Sequence, residues 1–247
     1  MRLLVLSDIH ANSTALEAAL AAARGRWEGA VCLGDVVGYG PDPNEVIDRL
    51  GSIAPAIIRG NHDKAAAGDP SAEDLNPMAL MAAQWTREQL TSANLEFIER
   101  LPAGPLRAGE LTLVHGSYQD EDDYVFSPAQ ALGGLVGSPT NVTFFGHTHI
   151  QGGFSYRDDD LQVIQMRVPA GTSFAALRVE AGTRYLLNPG SVGQPRDGDP
   201  RAGFAIADRD HGVIEFWRVP YNIAAVQERM REAGLPEPLI SRLSFGR

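Results

Sequence analysis

The sequence predicts an α/β fold, and three observations carry that prediction. Continuous apolar runs of strand length recur up to Phe145. Helix-like stretches separate the first three runs, a β-α-β-α-β rhythm that implies parallel strands with right-handed crossovers. From Gly152 onward the pattern changes to short strand-like segments joined by turns, which reads as a second, mainly antiparallel sheet. A chain of 247 residues can bury a sizeable core, and residues 1–247 are read as a single domain.

The elements follow in order. Leu3–Ser7 is the first strand. Ser13–Arg24 is rich in Ala and Leu, with Thr14 and Glu17 as a capping-box pair and Gly25 as a stop, and reads as a helix. Ala30–Leu33 is the second strand, Asn44–Leu50 a short helix entered through Pro43, and Ala56–Arg59 the third strand. Asp69–Arg100 is polar and helix-prone, and the series Met78, Met81, Trp85 and Leu90 after Pro77 suggests one or two helices lying over the sheet. Leu111–Val114 and Val142–Phe145 are two more strands. Phe154–Tyr156, Leu161–Val168, Arg184–Leu187, Phe204–Ala207 and Val213–Val219 make up the second sheet. Asn222–Ala233 is a closing helix stopped by Gly234 and Pro236, and the Ser244–Arg247 tail is expected to be loose.

Composition narrows the function before any motif is considered. With 44% hydrophobic and 21% charged residues the chain is an ordinary globular one. Its formal net charge of −10 argues against nucleic acid and anionic membrane as partners, although carboxylates gathered in a metal site would contribute to that sum. The single cysteine, Cys32, excludes a disulfide framework and a thiolate metal cluster and reads as a core residue. Leu3–Leu6 is too short for a secretion signal, and no apolar run reaches the roughly 20 residues of a membrane helix, so a cytoplasmic protein with no membrane contact is expected. The acidic run Gln119–Asp123 reads as a solvated loop.

The chemistry-bearing residues sit where the strands end. Asp8 and His10 follow the first strand, Gly34 and Asp35 the second, and Gly60-Asn61-His62-Asp63 the third; His115-Gly116 and Gly146-His147-Thr148-His149 follow the next two. Five of the six histidines fall at these positions, and only His211 lies elsewhere. Ligands of open α/β sheets bind outside the carboxyl ends of the strands, and glycines there permit sharp turns and close backbone approach. Carboxylate, imidazole and one amide oxygen without thiolate suit Mn, Fe, Zn, Co or Ni rather than Ca, Mg or a structural zinc. Asp8, His10, Asp35, Asn61, His115, His147 and His149 make seven donors, too many for one ion and enough for two that share a carboxylate. Two metals roughly 3.5–4 Å apart clamp the attacking and leaving oxygens of a phosphoryl transfer.

Read in order as DIH, GDVVG, GNHD, HG and GHTH, these segments resemble the signature of the calcineurin-like metallophosphoesterase superfamily. The resemblance implies a four-layer α/β/β/α sandwich of two mixed sheets flanked by helices. It implies that Asp8, His10 and His149 hold one divalent transition metal and Asn61, His115 and His147 the other, with Asp35 bridging. Manganese is the first expectation for both, with Fe, Zn, Ni and Co as alternatives. His62, left without a metal, is the implied general acid for the leaving oxygen. A hydroxide bridging the metals would attack phosphorus in line, and Asp63 is read as orienting His62 or its loop.

Departures from the family pattern bear on the substrate. The protein phosphatase branch and the symmetric dinucleoside tetraphosphate hydrolases carry an arginine-bearing pair after G-D-x-V, where this chain has Gly38 and Tyr39. A phenol does not replace a guanidinium clamp, so that branch is disfavoured. Tyr39 is nevertheless a candidate for the cleft lining. The stretch NPGSVGQPRDGDPR, Asn188 to Arg201, resembles the closing motif of small YfcE-like prokaryotic phosphodiesterases, and Arg196 in it is a candidate phosphate contact, with a surface ion pair as its other reading. The Tyr118–Leu135 loop is expected to overhang the site. The favoured activity is that of a phosphodiesterase on small or nucleotide-like phosphorylated substrates. A phosphomonoesterase or dinucleoside polyphosphate hydrolase is the alternative, and a nuclease or a non-catalytic scaffold is further off. A homodimer through sheet-edge pairing is within expectation.

Overall fold

A computed structural model describes residues 1–70 and 75–247. The first strand, β1 (Arg2–Leu6), shows why its run is apolar throughout. Leu4 and Leu6 face outward onto α1 (Ser13–Ala22), meeting Ala15, Leu16 and Ala19, while Leu3 and Val5 face inward onto a second sheet. The same division holds in β2 (Gly29–Cys32), with Ala30 and Cys32 outward and Val31 inward. Cys32 is buried and unpaired with another cysteine, as a core residue should be.

The first sheet continues through α2 (Pro43–Gly51) to β3 (Ala56–Ile57), and the chain then forms α3 (Asn61–Ala67), α4 (Pro77–Gln89) and α5 (Ser92–Glu99). Next come β4 (Leu106–Ala108), β5 (Leu111–Leu113), α6 (Pro128–Gly137), β6 (Val142–Phe144), β7 (Gly152–Arg157), β8 (Asp160–Gln165), β9 (Phe174–Arg178), β10 (Arg184–Asn188), β11 (Ala202–Asp208) and β12 (Val213–Val219). The helices α7 (Ile223–Glu232) and α8 (Glu237–Ser241) and a 3-10 turn, Arg242–Phe245, follow.

Two six-stranded sheets result, ordered β3-β2-β1-β11-β12-β9 and β4-β5-β6-β10-β7-β8. Phe144, Leu187, Ala205 and Phe216 fill the space between them, α1 and α2 cover one outer face, and α6 covers the other through Ala131 and Leu135. This is the expected α/β/β/α sandwich. The partition expected from sequence, a parallel sheet from the first half and an antiparallel one from the second, is corrected. Strand β5 pairs with β6 and β6 with β10, while β11 pairs antiparallel with β1 and β12 with β11. Each sheet is therefore mixed, because β11 and β10 are each apolar enough to serve as an interior strand.

Local corrections are equally instructive. Asn12, rather than a Thr14/Glu17 box, caps α1 by accepting from Ala15 N at 3.0 Å, leaving Glu17 to pair with Arg49. In α4 the alanines Ala79, Ala82 and Ala83 and Thr86 face inward, and Met78 and Met81 are exposed. The part of the Asp69–Arg100 expectation that falls on 71–74 lies outside the described residues. The C-terminal tail is docked: Leu243 is buried, and Gly246 O accepts from Gly198 N at 3.0 Å.

Candidate metal centre

Strands β1, β2 and β3 end at one rim of the first sheet, and β5 and β6 end beside them in the second. The connections they release are welded together by main-chain bonds: Asp8 N to Gly34 O at 3.1 Å, His10 N to Asp35 O at 3.0 Å and Gly146 N to His115 O at 2.8 Å. Asn188, at the end of β10, fixes the last turn by donating to Gly146 O at 2.8 Å and Thr148 Oγ1 at 3.0 Å, and Ser191 Oγ donates to Asp8 O at 2.7 Å. The Asn188-Pro189-Gly190-Ser191 turn thus packs against the site.

Five of the seven sequence-nominated ligands, Asp8, His10, Asp35, His147 and His149, have φ between 50° and 63°. Non-glycine residues avoid this left-handed region at a cost of roughly 1–3 kcal/mol each, and such strain concentrates where function requires a particular side-chain direction. Gly60 adds a close approach, since a Cβ there would lie 2.2 Å from Asp35 Oδ1.

All of the nominated ligands converge. One donor atom each of Asp8, His10, Asp35 and His149 lie within 4.8 Å of one another, as do those of Asp35, His115 and His147. Asn61 Oδ1 is 3.3 Å from His115 Nε2. Asp35 spans the two groups, with Oδ2 3.6 Å from His10 Nε2 and Oδ1 3.5 Å from His115 Nε2.

The ring orientations identify what belongs between these atoms. His10 Nδ1 donates to Val37 O at 3.2 Å, His149 Nδ1 to Gln194 O at 2.6 Å and His115 Nδ1 to Leu33 O at 2.8 Å. A neutral imidazole with its proton on Nδ1 presents a lone pair at Nε2. The Nε2 atoms of His10 and His149 nevertheless face each other at 3.1 Å. Two lone pairs at that separation repel unless a cation lies beside them. Asp35 Oδ2 and His147 Nε2 are buried with no hydrogen-bond partner among the described residues, although buried polar atoms are almost always satisfied. Backbone carbonyls that orient ligating imidazoles are the usual outer support of a metal site. The donor set and these orphaned atoms fit a pair of divalent transition metals.

Electrostatics of the polypeptide alone keep His10, His62 and His147 neutral, whereas His115 facing Asp35 without a cation carries a second proton. Burial pushes His147 down to about 3 and His62 down to about 4, and burial holds His10 well below its ordinary value, so these rings are neutral. Burial would lower His115 too, but the Asp35 carboxylate and its hydrogen bond lift it to about 10. Burial opposes ionisation of Asp35, yet His115 beside it keeps the carboxyl well below the ordinary range.

His62 sits in the first turn of α3 with its backbone N–H on Asp35 Oδ1 at 2.9 Å and its ring 4.9 Å from His10 and 4.2 Å from Tyr39. That turn is helical, not the loop expected from sequence, and Asn61 opens it. Asp63 holds the loop and not His62: its carboxylate accepts from Val37 N at 3.1 Å and Gly60 N at 2.9 Å, and burial and the nearby Asp35 charge raise it to about 7. Tyr39 is buried against His10 and receives a hydrogen bond from Arg196 Nη2 at 3.4 Å. Arg196 forms no surface ion pair among the described residues; its Cζ lies 5.8 Å from the Tyr39 ring centre.

The acidic run is not merely solvated. Glu121 pairs with Arg59 at 2.7 Å, and Asp122 with the buried Lys64 at 2.5 Å, tying the loop to β3 and α3. Through that tether the loop sets Tyr124 over the site, stacked on His147 with centroids 3.8 Å apart. The loop was expected from the sequence to overhang the site, but nothing in the sequence singled out Tyr124.

The chain matches the family model described as calcineurin-like phosphoesterase superfamily domain over residues 1–212. It is 32% identical to an uncharacterized protein of Methanocaldococcus jannaschii over 98% of this chain and 97% of that protein. The crystal structure of a metallophosphoesterase from Sphaerobacter thermophilus superposes with a TM-score of 0.87 at 41% identity, covering 100% of this chain and 99% of that one. A hypothetical protein from Pyrococcus horikoshii OT3 shares the fold, with a TM-score of 0.75 at 22% identity over 100% and 98% of the two chains. Among the described residues no helix is long and apolar enough to cross a membrane.

Proposed function

The chain belongs to the calcineurin-like phosphoesterase superfamily, and we propose that it is a two-metal phosphodiesterase acting on small or nucleotide-like phosphate esters. The observation that carries the reading is the facing pair of Nε2 atoms on His10 and His149, 3.1 Å apart and each with its proton committed to a carbonyl on the other side of the ring. Two divalent cations, manganese first among the candidates, would supply an activated water and a positive cradle for the phosphate. Asp8, His10 and His149 would hold one, Asn61, His115 and His147 the other, and Asp35 both.

The remaining work falls to His62. Its ring lies against His10 and Tyr39, beside the seven donors but outside both groups, which supports the reading that it gives a proton to the departing oxygen. A bound phosphate raises the proton affinity of this ring from the value of about 4 that burial imposes on it in the polypeptide alone.

Hydrolysis of bis-p-nitrophenyl phosphate with added manganese, compared between the wild type and His62→Ala, tests the reading. A manganese-dependent rate in the wild type, lost in the variant, supports it. No manganese-dependent hydrolysis of any diester or monoester by the wild type would refute it. Cleavage of single-stranded DNA in preference to small esters would favour a nuclease instead.

A further inference from the structure

A cavity of about 620 Å³ is bounded by the β7–β8 hairpin, the segment that follows it and the Asp197–Asp199 turn. It meets the metal centre at two points. Thr148, which stands between His147 and His149, lines it, and so does Phe126 from the tethered loop. The Phe126 ring stacks on Tyr124 with centroids 5.3 Å apart and planes 8° from parallel, and Tyr124 stacks on His147 at 3.8 Å. A continuous stack of rings therefore leads from one of the nominated metal ligands to the cavity wall.

The lining suits a flat organic group. Phe126 is 59% exposed, Val163 55% and Ile150 41%, so three large apolar side chains from separate segments show their surfaces to one opening. The polar lining is set in advance. Buried Arg218 donates from Nε to Gln151 Oε1 at 3.1 Å and pairs with Asp197, whose Oδ2 also accepts from Gln151 N at 3.1 Å. The Arg218 charge is thereby met, and the Asp197 carboxylate stands in the wall as an acceptor for a hydroxyl or an N–H. Mostly apolar walls with a few fixed polar groups, at a volume inside the roughly 300–1,000 Å³ of small-ligand sites, describe a binding cavity.

We propose that this cavity binds a nucleoside group esterified to the phosphate at the metal centre, so that the preferred substrates are diesters of nucleoside phosphates. This rests on the two-metal phosphoesterase reading and deepens it. A base stacks on the Phe126 and Tyr124 rings, and a sugar hydroxyl or base N–H donates to Asp197. The nucleoside is the group that stays on phosphorus. His62, which serves the departing oxygen, lies against His10 and Tyr39, whereas the ring stack and the cavity flank His147. Water adds its hydroxyl to phosphorus, the bond to the departing oxygen breaks, that oxygen takes the proton, and a nucleoside monophosphate remains.

The test compares two substrates with one leaving group, thymidine 5′-(p-nitrophenyl phosphate) and methyl p-nitrophenyl phosphate, on the full-length, manganese-loaded protein. The wild type should prefer the thymidine ester by at least about tenfold in kcat/KM, chiefly through KM. Phe126→Ala and Val163→Glu should each lower kcat/KM for the thymidine ester about fivefold to a hundredfold and change that for the methyl ester less than about threefold. Val163 belongs to β8, so the same selective loss in both variants cannot come from a displaced Tyr124. Equal rates on the two esters in the wild type, unchanged selectivity in the variants, or equal losses on both esters overturn the proposal. So does a wild-type dimer that either variant makes monomeric with selectivity intact, which would assign the surface to a second copy of the chain. If the wild type hydrolyses neither ester, the phosphoesterase reading fails separately, and calorimetry with thymidine 5′-phosphate and methyl phosphate decides the cavity: tighter binding of the nucleotide, lost in both variants, supports it, and equal binding refutes it.

Discussion

Asp8, His10 and His149 meet beneath Tyr39 and His62, all of them nearly inaccessible to solvent, whereas Asn61, His115 and His147 meet beneath Tyr124, a 41% exposed side chain on the acidic loop. In the first group both imidazoles are pinned at Nδ1 by carbonyls. In the second His115 is pinned, and His147 Nε2 has no hydrogen-bond partner among the described residues. Both groups use the same ligand chemistry. They differ in how much of the geometry exists before a cation arrives. The first is preorganised by backbone and by the Asn188–Gln194 turn. On the two-metal reading the second would be completed in part by its cation and by a tethered loop, and should therefore exchange metal more readily.

The strongest way to break this comparison is to remove what the halves share. Asp35→Asn deletes the one carboxylate facing both groups, and manganese-dependent hydrolysis should fall by at least about a thousandfold. A variant retaining more than a tenth of wild-type activity would mean that Asp35 holds no metal. His62→Asn should lower kcat by about a hundredfold to ten-thousandfold while leaving metal content unchanged, because the ring belongs to neither half. Loss of metal in that variant would assign His62 to the ligand set.

The asymmetry itself is sharpened by graded chelation. Metal should leave the Asn61–His115–His147 group first, with an affinity about tenfold to a hundredfold weaker than the other. His147→Ala should then retain one metal, and His149→Ala should lose the tighter one. Equal loss from both groups would remove the distinction.

Acid pH reads the same contrast in the chelator-treated protein. Folded His62 and His147, pushed by burial to about 4 and about 3, refuse protons that the unfolded chain accepts near its ordinary value of about 6.5. The unfolded state thus binds more protons across that interval, and stability should fall as pH drops from about 6.5 toward 4, by about 1–3 kcal/mol per unit. His115, raised to about 10 by Asp35 against the effect of burial, has the opposite sign: its contribution is present below about 6.5 and is lost as pH rises through 10. Chemical denaturation at several pH values measures both slopes. The smallest effect belongs to Tyr124→Ala, which should speed metal exchange at the His147 side a few-fold and leave the His149 side alone.

Much of the centre was legible because its chemistry repeats at every strand end. An Asp-x-His or Gly-His-x-His after an apolar run names a metal-capable side chain and its location, and the seven side chains so nominated lie together in the structure. What was hidden depends on tertiary choices. The assignment of β10 and β11 to opposite sheets follows from which apolar strands find a partner, and periodicity is silent on that. Lys64 and Arg59 turn the acidic run from a solvated loop into a tether, a pairing across more than fifty residues. The tail looked loose because Leu243 and Gly246 are anchored only by surfaces the rest of the fold creates.

The most direct test of the account is the number of manganese ions bound per chain, counted by native mass spectrometry on reconstituted wild type and Asp35→Asn. Two ions per wild-type chain and fewer than two in the variant are predicted. One ion or none in the wild type, or two retained without Asp35, would contradict a centre built from these seven side chains.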